Sequence, residues 1–296
     1  MATTKRSTGR RKQTRRQTRS TGRATTAPAQ PKAIQQLPTA PSVPSENVGD
    51  YTWLIYGERK IGKTSLCARF DDPFFIMFEP GGRGLRLRQQ FVQNWDQFLD
   101  VLALLEAQPD YCRTVVIDTG FMCYERCFQA GLKEMGIDDP RDAGWGSAYK
   151  LIEREFISAY ERLEAIGTGI VVTAHSEMRE VTHRSGLKYD KMVTQLSKAA
   201  NRWFAGTLDV IGYYHYDEVA NRVLTIAGTS EVEAGARCEG HFKYEGTGNP
   251  IETIPMGTSP DEAYANLVKA FMNELPEAPI KGDGSRPRKS RRRRGR

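Results

Sequence analysis

Cysteine is scarce and shows no pairing pattern. Cys67, Cys112, Cys123, Cys127 and Cys238 form no C-x-x-C unit. Cys123 and Cys127, one helical turn apart, have no histidine or further cysteine at zinc spacing. An odd count without such a framework excludes a disulfide-stapled scaffold, so reduced thiols used for packing are expected, with no structural metal. Long apolar runs are missing as well. Nothing approaches the roughly 18 residues of a membrane span, so no membrane association is expected. No apolar stretch follows the Arg-rich N-terminus, which therefore does not read as a secretory leader. Its Arg/Ser/Thr-rich, acid-free composition also fits a transit peptide.

Negative charge is missing from the two ends. Residues 1–23 hold nine Lys/Arg and no acid, and residues 281–296 hold nine Lys/Arg against Asp283 alone. Taking +9 and +8 from the formal +7 of the chain leaves −10 on residues 24–280. The stretch 24–46 is rich in Ala, Pro, Thr, Gln and Ser. Such segments bury too little apolar surface to offset chain ordering. The expected organisation is a disordered basic tail and linker at 1–48, one folded domain at 49–277 and a second disordered tail at 278–296. Basic tails suit polyanions, because each cation near a phosphate releases counterions. Their other reading is a solvated tail that touches the chain's own acidic body.

What is present is a complete G-x-x-x-x-G-K-T at Gly57–Thr64, behind the apolar run Tyr51–Tyr56. Strand, glycine-bounded loop and helix are the context a phosphate-binding P-loop requires. Gly57 and Gly62 let the backbone of Glu58, Arg59, Lys60 and Ile61 turn its N–H groups inward. Lys63 is placed to reach the β- and γ-phosphates, Thr64 to give a hydroxyl to Mg²⁺, and Ser65 to open the following helix. The expected cofactors are ATP and Mg²⁺.

Further buried strands are expected at 74–78, 114–118 and 169–174, alternating with helices at 94–107, 122–135 and 149–166. That alternation predicts a mostly parallel sheet flanked by helices. Residues 210–216 and 222–226 read as an antiparallel hairpin extension, and Ser259-Pro260-Asp261-Glu262 as a helix start running to about Leu275. Residues 176–194 are polar and aperiodic, which reads as a mobile loop.

Asp118 ends an apolar strand where a second Mg²⁺-holding residue belongs, or is an ordinary strand-end acid. Glu79 ends the strand after the P-loop helix and is a candidate for orienting the attacking water, or a turn residue before Pro80-Gly81-Gly82. His175 is a candidate γ-phosphate sensor or a structural strand-end histidine. Arg237, in a small-residue loop, is a candidate arginine finger or a solvated arginine. Trp145 between glycines would stack on a base if exposed and pack if buried.

The stretches "IYGERKIGKTSL", "FFIMFEPGG", "TVVIDT" and "IVVTAH" together resemble the RecA-like ATPases, in particular the phage-encoded AAA-domain nucleotide-binding proteins related to single-strand annealing recombinases. The resemblance covers about Tyr51 to Val210. It implies that Glu79 is the catalytic base and His175 the γ-phosphate sensor. It also carries Arg237, whose loop "EAGARCEG" looks like the late Lys/Arg loop of ring helicases, although the lysine position is here Gly or Ala. The implied protein is a homo-oligomeric ATPase, ring or filament, acting on single-stranded DNA in recombination, annealing or replication in the host cytoplasm. The alternative is an ATP-gated adaptor or loader that binds a partner through its tails; a small-molecule kinase lacks a clear Arg-clustered lid.

Overall fold

The apolar runs fold into strands of one sheet, with the amphipathic segments laid across its faces. The computed structural model describes residues 37, 39–144 and 146–277. The chain divides into two units, residues 1–43 and 44–296, and all the regular elements belong to the second. In order these are β1 (Thr52–Gly57), α1 (Lys63–Cys67), β2 (Pro73–Met77), β3 (Arg88–Phe91), α2 (Trp95–Ala107), β4 (Thr114–Asp118) and α3 (Gly120–Met135). They continue with α4 (Ser147–Glu164), β5 (Gly169–Thr182), β6 (Lys188–Thr194), α5 (Lys198–Thr207), β7 (Val210–Tyr216), β8 (Arg222–Thr225), β9 (Gly235–Ala236), β10 (Thr253–Pro255) and α6 (Pro260–Phe271). The sheet runs β10-β8-β7-β1-β5-β4-β2-β3, with β6 added to β5 and β9 to β7. The block β7-β1-β5-β4-β2-β3 is parallel throughout, while β8, β10, β6 and β9 pair antiparallel. This is the architecture expected from the sequence, a mostly parallel sheet flanked by helices with antiparallel strands added towards its C-terminal end.

Alternation along each strand divides the core in two. Leu54 and Tyr56 of β1 join Ile76, Ile117 and Val172 under α2, α3, α4 and α5. Trp53 and Ile55 join Phe75, Val116 and Val171 under α1 and α6. Burying each such side chain contributes about 1.5–3 kcal/mol. Both faces being covered explains why β1, β4 and the first half of β5 read as unbroken apolar runs. The helix starts follow from their caps: Asn94 accepts from the Gln97 N–H, and Ser259 from the Glu262 N–H.

Several expectations need correction. Residues 176–194 are not a loop: β5 continues past His175 to Thr182 and pairs with β6 from Ser176↔Thr194 to Thr182↔Lys188. Charges on both faces hide the two-residue period there, and Lys188 pairs with Glu180 at 2.7 Å. The expected hairpin of β7 and β8 is present; β7 also lies parallel to β1, so the antiparallel pairing begins at β8 and continues to β10. The helix after the P-loop is five residues, Lys63–Cys67, and α6 stops at Phe271. β3 and α5 were not anticipated; β3 is exposed at all four positions and carries no apolar period. Trp145 and the two basic tails lie outside the described residues.

Candidate functional site

The C-terminal ends of β1, β2 and β4 meet the middle of β5 on one side of the sheet. In register, Gly57 lies beside His175, Met77 beside Asp118, and Asp118 beside Thr173. Between β1 and α1 the chain turns through left-handed backbone at Lys60 (φ 66°) and Gly62 (φ 115°). Glycine adopts the second value without a Cβ penalty. α1 begins at Lys63 with no side chain capping its first N–H groups, which leaves donors facing the site.

A cleft of about 740 Å³ opens above these strand ends. Arg59, Lys60, Gly62, Lys63, Thr64 and Ser65 line it from the loop, with Glu79, Asp118, Thr119, His175 and Gln195 opposite. The other loop residues have different places. Gly57 packs against Tyr214, Glu58 gives its carbonyl to Lys63, and Ile61 is buried in the core. A groove of about 880 Å³ between α2, α3 and α4 holds none of the candidate residues.

Lys63 is buried, and its Nζ donates to Gly57 O at 2.8 Å and Glu58 O at 2.7 Å. Burial pushes its pKa down to about 8, against the pull of Asp118, Cys67, Glu79 and Glu58. Thr64 Oγ1 donates to Asp118 Oδ2 at 2.8 Å, and Thr173 Oγ1 to Asp118 Oδ1 at 2.6 Å. Thr64 and Asp118 thus bring together the hard oxygen donors that magnesium selects, which fits the expected metal. Thr119 Oγ1 donates to Glu79 Oε1 at 2.8 Å, and His175 Nε2 lies 3.7 Å from Glu79 Oε2. The second separation is too long for a hydrogen bond. His175, the Thr119 hydroxyl and Arg59 together hold the Glu79 carboxyl below its ordinary value, against the upward effect of burial. His175 Nδ1 is buried and has no hydrogen-bond partner among the described residues.

The structure therefore brings Lys63, Thr64, Asp118, Glu79 and His175 into one cleft. Arg237 stands elsewhere. It follows β9, whose Ala236 pairs with Val210 at the start of β7, and its Nη2 donates to Gly206 O at 2.7 Å. That is the end of the parallel sheet opposite the cleft. Thr119, Thr173 and Gln195 were missed by the sequence reading. The first two adjoin the acids through one chain bond and one strand pairing, and only the "DT" of Asp118-Thr119 signals either.

A family model described as an AAA domain (AAA_24) matches residues 50–238 of this chain. No curated protein matches it. Among solved structures, the chain is similar to a KaiC-like protein from the hyperthermophilic archaeon Pyrococcus horikoshii. That match has 13% identity and a TM-score of 0.40, covering 72% of this chain and 88% of that one. It is also similar to the RadB recombinase, at 12% identity and a TM-score of 0.36, covering 60% of this chain and 81% of that one.

Proposed function

The chain belongs to the AAA domain family, and from that premise we propose that it binds and hydrolyses ATP with magnesium and acts as an oligomer on single-stranded DNA. One observation carries the ATPase reading: Lys63, the Thr64–Asp118 pair and Glu79 converge on a single cleft at the ends of parallel strands. Lys63 would leave the Gly57 and Glu58 carbonyls for phosphate oxygens. Thr64 and Asp118 would hold Mg²⁺, which spreads charge over the phosphates when bound. Glu79, kept ionised by its neighbours, would accept a hydrogen bond from the attacking water. His175 joins Glu79 to the β5–β6 hairpin, since its carbonyl accepts from Gln195 N–H at 2.8 Å. It is the candidate sensor for loss of the γ-phosphate. Arg237, remote from its own cleft, would serve the site of a neighbouring subunit.

DNA binding rests on the basic ends of the sequence, and a place in phage recombination, annealing or replication, with a cytoplasmic location, rests on the family resemblance. No helix among the described residues is long and apolar enough to cross a membrane. ATPase rate with and without single-stranded DNA, read beside the size of the assembly, tests this directly. Stimulation in an assembled state is expected; an unchanged rate favours the adaptor. Removing residues 1–23 and 281–296 should weaken DNA binding and flatten its salt dependence. Equal affinity and slope would take the ends out of the reading.

ATP affinity should also depend on pH. Free Lys63 loses its proton near pH 8, whereas bound phosphates favour the charged form. Binding is then strongest below pH 8 and weakens by up to about tenfold per unit above it, with proton uptake on binding. Calorimetry at pH 8.5 in two buffers of different ionisation enthalpy measures that uptake. The free protein shows the opposite trend from this group: the unfolded chain holds the proton up to its ordinary value of 10.5, so stability rises between about pH 8 and that value.

A further inference from the structure

The loop that leaves Glu79 carries an arginine with no present role. Leu85 N–H donates to Gly82 O at 2.9 Å, closing a turn with Arg83 and Gly84 at its corner. Gly81, Gly82, Gly84 and Leu85 line the cleft and Arg83 between them does not, so bare backbone walls it on this side and the arginine stands at its rim. Gly82 has φ 72°, and a Cβ there would come 2.7 Å from Gln89 Oε1. The one long polar side chain of the turn is Arg83. Of the neighbouring arginines, Arg88 is held by Asp72 at 2.7 Å and Arg69 by Asp261 at 2.6 Å, while Arg86 is exposed and stands farther along the chain from Glu79. Arg83 is exposed, and among the described residues no hydrogen bond or ion pair holds it.

The charge balance of the cleft gives this arginine a task. Asp118 and Glu79 bring two carboxylates to a site meant for a polyanion. Arg59 acts on Glu79, and Lys60 and Lys63, which also line the cleft, are point charges without a planar pair of donors. Arg237 lies at the far end of the sheet. Phosphoryl transfer spreads negative charge over the equatorial γ-oxygens, which a planar guanidinium meets with two donors.

We propose that Arg83 is a catalytic arginine supplied by the same chain, closing over the γ-phosphate from the glycine turn beside Glu79. This rests on the ATP-hydrolysis reading above. In the step it serves, the water oxygen bonds to the γ-phosphorus and the bond to the β–γ bridging oxygen breaks. The electron pair of that bond stays on ADP, and the water proton passes to Glu79. Arg83 exchanges no proton; it stabilises the charge on the γ-oxygens.

Full-length Arg83→Ala, Arg83→Lys and Arg86→Ala are compared for ATP turnover and for binding of a fluorescent ATP analogue. Arg83→Ala should lower kcat about 10²–10³-fold with analogue affinity within threefold. Arg83→Lys should keep part of the rate, and Arg86→Ala should stay within twofold. Mixing Arg83→Ala with Glu79→Gln protomers should restore nothing, since base and arginine must share a chain. Recovery on mixing would place Arg83 in a neighbour's site and overturn the proposal, as would an Arg83→Ala rate within threefold of the parent. A parent protein that binds the analogue and never turns ATP over would instead overturn the hydrolysis reading, and the proposal with it.

Discussion

Glu79→Gln is expected to keep ATP bound and to slow its hydrolysis by about 10²–10⁴-fold. Glutamine is nearly isosteric with glutamate, and its carbonyl oxygen can still accept the Thr119 hydroxyl that Glu79 Oε1 accepts at 2.8 Å. What it loses is the second carboxylate oxygen, the one facing His175 at 3.7 Å. The fold, the Lys63 contacts and the Thr64–Asp118 pair should therefore be undisturbed, and the deficit should lie in kcat. Rapid-quench turnover with excess enzyme, beside equilibrium binding of ATP, separates the two. Rapid hydrolysis by the variant would remove Glu79 from the chemistry. The depressed pKa of this carboxyl also makes it a weak proton acceptor in the resting site. It fits a group that first aligns water and takes the proton late, as a loose phosphoryl transition state allows.

Gly57→Ala should be severe for a different reason. A Cβ on Gly57 would fall 2.0 Å from Tyr214 O, a main-chain atom of β7 that cannot swing away. Accommodating it means parting β1 from β7 at the head of the P-loop. The expected cost is about 3 kcal/mol, at the upper end of ordinary overpacking. Gly62→Ala meets nothing closer than Tyr214 Oη at 3.8 Å and carries only the strain of its positive φ, on the order of 1–2 kcal/mol. Chemical denaturation of the two variants in the absence of nucleotide should rank them in that order. The reverse ranking would mean that β1 and β7 are not packed as described.

The contrast shows what a motif conveys and what it conceals. Gly57 and Gly62 look equivalent in G-x-x-x-x-G-K-T, yet one is required by a neighbouring strand 157 positions later and the other by its own backbone angle. The sequence made the buried strands legible because both faces of the parallel sheet are covered, so β4 and the start of β5 are continuous apolar runs. Where one or both faces meet solvent, the signal failed. β3 and the outer half of β5 show no apolar run, and their strand character comes from pairing alone. The acids of the site were legible from their position at strand ends. The hydroxyls of Thr119 and Thr173 that hold them were not, because sheet register, absent from local sequence, brings Thr173 beside Asp118.

β5 runs without a break from the core, through His175, to Thr182. An unbroken ladder does not bend at a single residue without losing pairing to β6, so the seven residues beyond His175 form a beam of roughly 23 Å at about 3.3 Å per residue. A tilt of about 10° at its root displaces the tip by ~4 Å, simply from that length. A shift too small to notice beside Glu79 would thus be magnified into a stroke large enough to regrip whatever rests on the far end.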